Sequence, residues 1–247
     1  MASASHLSVS GPSSGHDADA RGHDVAARLD AVRRRLRAAA SRAGRGGDTV
    51  TLVAVSKTFG AQAVLAARRA GQVDFGESRV QELVAKAGEV GHGVRWHFVG
   101  RLQRNKAADA VARCELIHSV DRLRLAREVA ARARRASKAQ RVLLQVNVGE
   151  DPDKGGCPLA ETPGLLATLD TLAGVECVGL MTIPPLDADP RPLFRRLREL
   201  RDQQRERFPR VEHLSMGMTH DFEIAVEEGA TIVRVGEAVF GPRPPTR

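Results

Sequence analysis

Short apolar runs and helix-like segments alternate along most of this chain. The runs lie near residues 51–56, 73–75, 95–99, 115–118, 141–147, 175–180, 212–215 and 231–235. A helix-like segment follows each run except the last, after which only EAVFGPRPPTR remains. This alternation predicts parallel strands joined by crossover helices. Eight runs in 247 residues favour a single (β/α)8 barrel of the TIM type, a fold that takes about 250 residues.

The second run, VDF at 73–75, is the weakest of the strand predictions. Without it the count falls to seven, and an open doubly wound sheet becomes a better interpretation. Dinucleotide-binding sheets of that kind carry a G-x-G-x-x-G sequence after a strand, and this chain has none. We therefore predict an α/β fold and place the closed barrel ahead of the open sheet.

An extra helix precedes the first predicted strand. Val25, Leu29, Val32 and Leu36 recur at spacings of three and four, which predicts an amphipathic helix that ends near Gly44. Residues 1–23 are rich in Ser, Gly and Ala and lack the apolar core of a secretory signal, so they are expected to form a disordered tail. Residues 24–247 are then a single barrel domain.

The formal net charge of +8 raises the question of a nucleic-acid partner. The arginines are spread along helical stretches, many of them alternate with acidic residues, and no aromatic residues are interleaved to stack on bases. A solvated basic surface explains the charge better, and we expect no binding to nucleic acid. No apolar run approaches the roughly 20 residues that a membrane span needs, so no membrane partner is expected either.

The cysteines predict a cytoplasmic protein without a metal site. Cys114, Cys157 and Cys177 are odd in number and widely spaced, and they show no metal-ligand pattern. Reduced thiols are typical of the cytosol. Lysine is scarce, and we expect Lys86 and Lys138 to be ordinary surface residues.

The carboxyl ends of the strands form the functional site of a β/α barrel. Lys57 follows the first predicted strand, where it is either a solvated strand end or a placed amine. Arg234 lies inside the last strand, and a buried guanidinium needs an acceptor. The segments SMGM, after strand seven, and VGEAVFG, after strand eight, are suited to hold a phosphate. Thr219 also follows strand seven.

Single residues in this set have structural explanations as well. His97 lies in an apolar run, where a lone histidine is more often a hydrogen-bonded core residue, Met181 is more often core filler, and Gly236 fits a tight turn. The functional interpretation rests on their convergence at one end of the barrel. An amine and a phosphate site at one mouth indicate pyridoxal 5′-phosphate (PLP), whose aldehyde reacts with lysine. Arginine only donates hydrogen bonds, so Arg234 at the ring nitrogen would leave that nitrogen unprotonated and PLP a poorer electron sink.

The motifs VAVSK, GESRVQE, WHFVGRLQRNK, LLQVN, GLMTIPP and LSMGMTHDFEIAVEEGATIVRVGEAVFG occur in that order from Leu52 to Gly241. In them the chain resembles the pyridoxal phosphate homeostasis proteins. The resemblance implies a barrel like the N-terminal domain of alanine racemase and PLP held on Lys57 as a Schiff base. It also implies phosphate contacts from Ser215, Gly236 and the backbone of Glu237. Ser78 stands where the family usually has Asn. The predicted cofactor-binding residues are Lys57, Ser78, His97, Asn147, Met181, Ser215, Met216, Arg234, Gly236 and Glu237.

The resemblance further implies a PLP carrier in vitamin B6 and amino-acid homeostasis, without robust catalysis and without catalytic residues. Its expected partners are PLP and PLP-requiring apo-enzymes, and a monomer is expected. The alternative is a PLP-dependent amino-acid racemase. Racemases of this barrel type use a tyrosine as second acid/base and carry an extra β-domain, and this sequence has no tyrosine. A racemase mechanism would need another group, such as His97, in that role.

Overall fold

The computed structural model describes residues 14–151 and 154–242, with side chains from residue 24 onward. Eight parallel strands form a closed barrel in chain order, and β1 pairs with β8 to complete it. The predicted barrel is therefore confirmed, including the weakly predicted second strand. The strands are β1 (Thr51–Val55), β2 (Asp74–Glu77), β3 (Arg95–Phe98), β4 (Cys114–Val120), β5 (Gln140–Gln145), β6 (Val175–Met181), β7 (His213–Ser215) and β8 (Ile232–Val235).

Helices follow the strands, as the alternation predicts. They are α1 (Ser14–Arg42), α2 (Ala61–Arg69), α3 (Val80–Val90), α4 (Ala107–Arg113), α5 (Leu123–Arg135), α6 (Thr162–Thr171), α7 (Pro190–Arg205), α8 (Phe222–Glu227) and α9 (Glu237–Phe240). None of the helices in the described part of the chain is long and apolar enough to cross a membrane.

The extra helix α1 lies against the outside of the barrel. Its predicted apolar face is buried at Val25, Leu29, Val32 and Leu36, and the helix packs on α2, α8 and α9. The last barrel helix, α9, has only four residues, so α1 supplies much of the cover on that side. The predicted tail up to residue 13 lies outside the described residues. Because α1 already begins at Ser14, the domain boundary at residue 23 stays a prediction.

The barrel interior combines apolar and polar side chains. Val53, Val55, Leu116, Leu143, Val178, Met181 and Ile232 form a small apolar cluster that is separate from the core between strands and helices. Side chains two positions apart on a strand share a face. His118 therefore shares the inner face of β4 with Leu116, and Arg234 shares that of β8 with Ile232. Both polar side chains are buried.

The three cysteines are free and buried. Burial raises the pKa of the Cys114 and Cys177 thiols to about 12 and that of Cys157 to about 11. Thiols in this state are unreactive, because the nucleophile is the thiolate.

Candidate functional site

A cavity of about 320 Å³ opens at the carboxyl-terminal mouth of the barrel. Five of the ten predicted cofactor-binding residues line it, from the ends of β1, β2 and β8: Lys57, Ser78, Arg234, Gly236 and Glu237. The structure thus brings the amine of the first strand and the guanidinium of the last strand to one cavity. Adjacent pairing of β1 with β8 is what makes this possible.

The other five predicted residues do not line this cavity. Met181 and Met216 are completely buried in apolar clusters. Asn147 lies in the loop after β5, where its side-chain amide donates to the Asp151 carbonyl over 2.8 Å. His97 and Ser215 are buried inside the barrel.

Further lining residues come from loops. Met218, Thr219 and His220 line the cavity from the loop after β7, and Phe59 lines it from the loop after β1. Gly217 makes the β7 loop possible: its φ is +92°, and an added Cβ would lie 2.5 Å from the Cβ of Ala225. Only glycine lets this loop pack so closely against α8 and still reach the cavity.

The segment that carries Lys57 is held by an ionic cluster of Ser56, Glu77, Glu82 and Lys86, in which Glu82 is partly exposed and the other three are buried. The Lys86 ammonium donates to Glu77 Oε1 over 2.6 Å, to Glu82 Oε2 over 3.1 Å and to the Ser56 carbonyl over 2.7 Å. The Ser56 hydroxyl donates to the same Glu77 oxygen over 2.6 Å. Our prediction that Lys86 is a surface residue is wrong, because two carboxylates and a carbonyl compensate its burial.

The ionic cluster also fixes the turn after Lys57. Thr58 has a φ of +71°, a strained value for a β-branched residue, and its N–H donates to Glu82 Oε2 over 2.9 Å. Burial raises the pKa of Glu77 even against the hydrogen bonds from Lys86 and Ser56. Burial acts in the same direction on Glu82, but the Thr58 N–H and Lys86 outweigh it and lower its pKa.

Arg234 presents a buried cation to the cavity. Its Nη1 donates to Ser215 Oγ over 2.6 Å, and its Nη2 donates to the Thr182 carbonyl over 2.9 Å. No carboxylate forms an ion pair with it in the part of the chain that the structure describes. Burial lowers its pKa to about 10, which still leaves the guanidinium charged at neutral pH. A hydrogen-bond acceptor in the cavity would complement this group.

Behind Arg234, hydrogen-bonded side chains continue through the barrel. Ser215 Oγ lies 2.8 Å from His118 Nδ1, and His118 Nε2 lies 2.9 Å from His97 Nδ1. His97 Nε2 lies 3.0 Å from Asp74 Oδ1. His97 is therefore a hydrogen-bonded core residue, the structural alternative that its apolar run suggested.

The turn after β8 offers backbone donors to an anion. Gly236 precedes α9, and an added Cβ would lie 3.0 Å from the Val55 carbonyl oxygen, so a glycine keeps this turn close to β1. The first N–H groups of a helix have no acceptor within the helix. Together with the hydroxyls of Ser78 and Thr219, they give the cavity several neutral donors.

The donor set fits PLP. An amine, a buried guanidinium, backbone N–H groups and hydroxyls surround apolar walls from Val55, Phe59 and Ile183. This arrangement suits a flat molecule with a reactive carbonyl at one point and an anionic group at another. In the ranges 24–151 and 154–242, no group of three or more His, Cys, Asp or Glu side chains is placed to hold a metal ion.

Known proteins match the chain over most of its length. Residues 27–244 match the family described as alanine racemase, N-terminal domain. The pyridoxal phosphate homeostasis protein of Aquifex aeolicus is 45% identical, with 85% of this chain and 94% of that protein covered. The protein of the same name from Escherichia coli K12 is 38% identical, with 85% and 93% covered. The structure of PipY from Synechococcus elongatus PCC7942 with PLP bound has a TM-score of 0.79 and 38% identity, with 88% of this chain and 100% of PipY covered.

Proposed function

We propose that this chain, which belongs to the alanine racemase N-terminal domain family and within it to the pyridoxal phosphate homeostasis proteins, binds PLP and acts in its homeostasis. One observation carries the proposal: the Lys57 amine and the buried Arg234 guanidinium line the same cavity. PipY, which is 38% identical over its whole length, has been solved with PLP bound. PLP supplies an aldehyde that condenses with amines and a ring that withdraws electrons.

Each part of the cofactor has an assigned partner on this chain. Lys57 is the covalent attachment point, and Arg234 donates to the ring nitrogen. We assign the phosphate to Thr219 and to the N–H groups after Gly236. We do not include Ser215 among the phosphate-binding residues, because its hydroxyl is completely buried between Arg234 and His118. Ser78 lines the cavity and contributes a hydroxyl where the family usually has an amide.

The site favours storage and delivery of PLP over turnover of amino acids. A racemase needs a second acid/base on the opposite face of the substrate, and the sequence has no tyrosine for that role. His97 cannot replace it, because it is buried between Asp74 and His118. The proposal therefore extends to a monomeric cytoplasmic carrier, formed by residues 24–247, that supplies PLP-requiring apo-enzymes.

Borohydride reduction of the PLP-loaded protein tests the attachment point. Peptide mass analysis should find the phosphopyridoxyl group on Lys57. Lys57→Ala should abolish the adduct, whereas Lys138→Ala, a change of an exposed lysine outside the cavity, should leave it intact. An adduct on Lys106 or Lys154 instead would refute the assignment.

Exchange of the α-hydrogen separates a carrier from an enzyme. The PLP-loaded protein is incubated with L-alanine and other L-amino acids in deuterated water, and α-deuteration and the D-isomer are followed. We expect rates far below the usual enzyme range of about 1–1,000 per second. Turnover within that range would show that the racemase alternative is correct.

A further inference from the structure

The polar chain across the barrel interior is longer than the support of one arginine requires. It begins at Arg95, near the amino-terminal mouth, whose Nε and Nη2 each lie 2.7 Å from the Asp74 carboxylate. It continues through Asp74, His97, His118 and Ser215 to Arg234, which lines the cavity at the other mouth. Barrel interiors are usually packed with branched apolar side chains. A continuous polar chain there needs a reason.

The two ends of the chain determine the direction of every hydrogen bond in it. Arg234 can only donate, so Ser215 Oγ accepts from it. The buried Ser215 O–H needs an acceptor of its own, and it reaches one by donating to His118 Nδ1. At the other end, burial opposes ionisation of Asp74, but hydrogen bonds from Arg95 and His97 outweigh burial and lower its pKa to about 2. An ionised carboxylate only accepts, so His97 donates to it from Nε2.

The direction of the hydrogen bond between His97 and His118 then follows. His118 is neutral, since complete burial lowers its pKa well below the ordinary value. His118 accepts from Ser215 at Nδ1, so its proton is on Nε2 and it donates to His97 Nδ1. His97 accepts at Nδ1 and therefore carries its own proton on Nε2, toward Asp74. Both imidazoles are therefore Nε2–H tautomers. Ser215, His97 and His118 then each pair every donor with an acceptor.

We propose that Asp74, His97, His118 and Ser215 are positioning residues for Arg234. The chain of hydrogen bonds, fixed in direction by Asp74, turns the lone pair of Ser215 toward Nη1 and so holds the guanidinium plane in the cavity. This proposal rests on the proposed function, in which Arg234 donates to the ring nitrogen of PLP. The ligand that it serves is an unprotonated aromatic nitrogen, which needs a donor in a defined direction.

The tautomers can be observed without any ligand. Imidazole 15N NMR of the full-length apo-protein at neutral pH should show protonated Nε2 and unprotonated Nδ1 for both His97 and His118. A coupling between His97 Nδ1 and His118 Nε2 through their hydrogen bond should be detectable. An Nδ1–H tautomer or a charged ring at His118 would overturn the proposal, whatever the protein binds.

Substitutions at His118 test the effect on the cofactor. His118→Gln keeps an acceptor for Ser215 and a donor for His97, whereas His118→Phe keeps the ring volume but neither group. We expect His118→Phe to weaken PLP binding about tenfold and to shift the absorbance maximum of bound PLP, and we expect His118→Gln to restore both. His213→Phe, at the amino-terminal mouth but outside the chain of hydrogen bonds, is the matched control.

Each outcome of these measurements either supports or refutes the positioning role. Unchanged affinity and an unchanged absorbance maximum in a folded His118→Phe protein would refute the positioning role. If His118→Phe does not fold, Asp74→Asn provides the second variant, since an amide facing His97 removes the fixed direction and should shift the same band. An unshifted band in Asp74→Asn would also refute the role. Absence of PLP binding in the unmodified protein would refute the proposed function instead, and the tautomer measurement would remain valid.

Discussion

Lys57 and Arg234, two basic residues of the cavity, rest on polar networks of different kinds. Lys57 follows Ser56, which the ionic cluster of Glu77, Glu82 and Lys86 holds between the barrel and α3. Arg234 is held by neutral groups in the barrel interior, Ser215 and the Thr182 carbonyl, and His118 supports Ser215. One network compensates charge with charge over a short stretch of sequence. The other reaches its compensating carboxylate, Asp74, only through two imidazoles.

This difference predicts how each network fails. A buried ion pair that loses one partner leaves an uncompensated charge, so the cost appears mainly in stability. A neutral hydrogen-bonded chain can lose its direction while its volume stays filled, so the cost appears mainly in ligand geometry. The following changes test that division, beginning with the largest expected effect.

Lys86→Met should be the most destabilising of these changes. It leaves Glu77 buried beside only the Ser56 hydroxyl, and we expect the free energy of unfolding to fall by about 3–5 kcal/mol. Urea denaturation measures the loss. Adding Glu77→Gln to Lys86→Met removes the uncompensated charge and should restore much of the stability. If the double variant is as unstable as the single one, the cluster is not governed by charge compensation.

The contributions of Asp74 and Glu77 to the free energy of unfolding should change with pH in opposite directions. The pKa of Asp74 in the folded protein, about 2, lies below its ordinary value of 3.8. The stability it contributes, about 2 kcal/mol, is present above pH 4 and is lost as the pH falls toward 2. The pKa of Glu77 is raised, so its contribution is present at low pH and is lost as the pH rises through that raised value.

Urea midpoints between pH 2 and pH 7 check this opposition. Asp74→Asn should reduce the loss of stability in acid, and Glu77→Gln should remove the opposing contribution. A profile that is unchanged in Asp74→Asn would mean that Asp74 has no depressed pKa in the folded protein.

Arg95→Ala should have the smallest effect. The Arg95 side chain is 57% exposed, so its ion pair with Asp74 is worth about 0.5 kcal/mol in thermal or urea unfolding. His97 still donates to Asp74 in this variant, and the bound cofactor should keep its absorbance maximum. A large shift of that maximum would mean that the chain of hydrogen bonds depends on its exposed end rather than on Asp74.

The sequence predicted the barrel because strand–helix alternation is a local signal that each unit repeats. The strand-end rule also located Lys57, Arg234 and Gly236, and the family resemblance added Ser78 and Glu237; all five line the cavity. These residues are at or just beyond the carboxyl ends of their strands, where the rule applies.

The hydrogen-bond networks that support Lys57 and Arg234 could not be predicted from the sequence in the same way. Lys86 is buried only because α3 returns it to Glu77 and the segment after β1, a tertiary fact that residue type does not reveal. Ser215 is the last residue of β7, near the same mouth as Lys57, yet it is buried inside the barrel, and Thr219 in the following loop lines the cavity. The pairing of His97 with His118 links strands β3 and β4, and nothing in either segment alone indicates it.

The packing of α1 on α8 and α9 also has a consequence for protein synthesis. The apolar face of α1 leaves the ribosome early, but α8 and α9, which cover much of it, are made from residue 222 onward. At a synthesis rate of about 5–20 residues per second, roughly 10–40 s pass between the synthesis of Leu29 and Leu36 and that of the helices that bury them. A nascent chain that stalls before residue 222 would leave this face exposed to holdase chaperones, and the barrel completes its outer layer only after residue 240 has been synthesised.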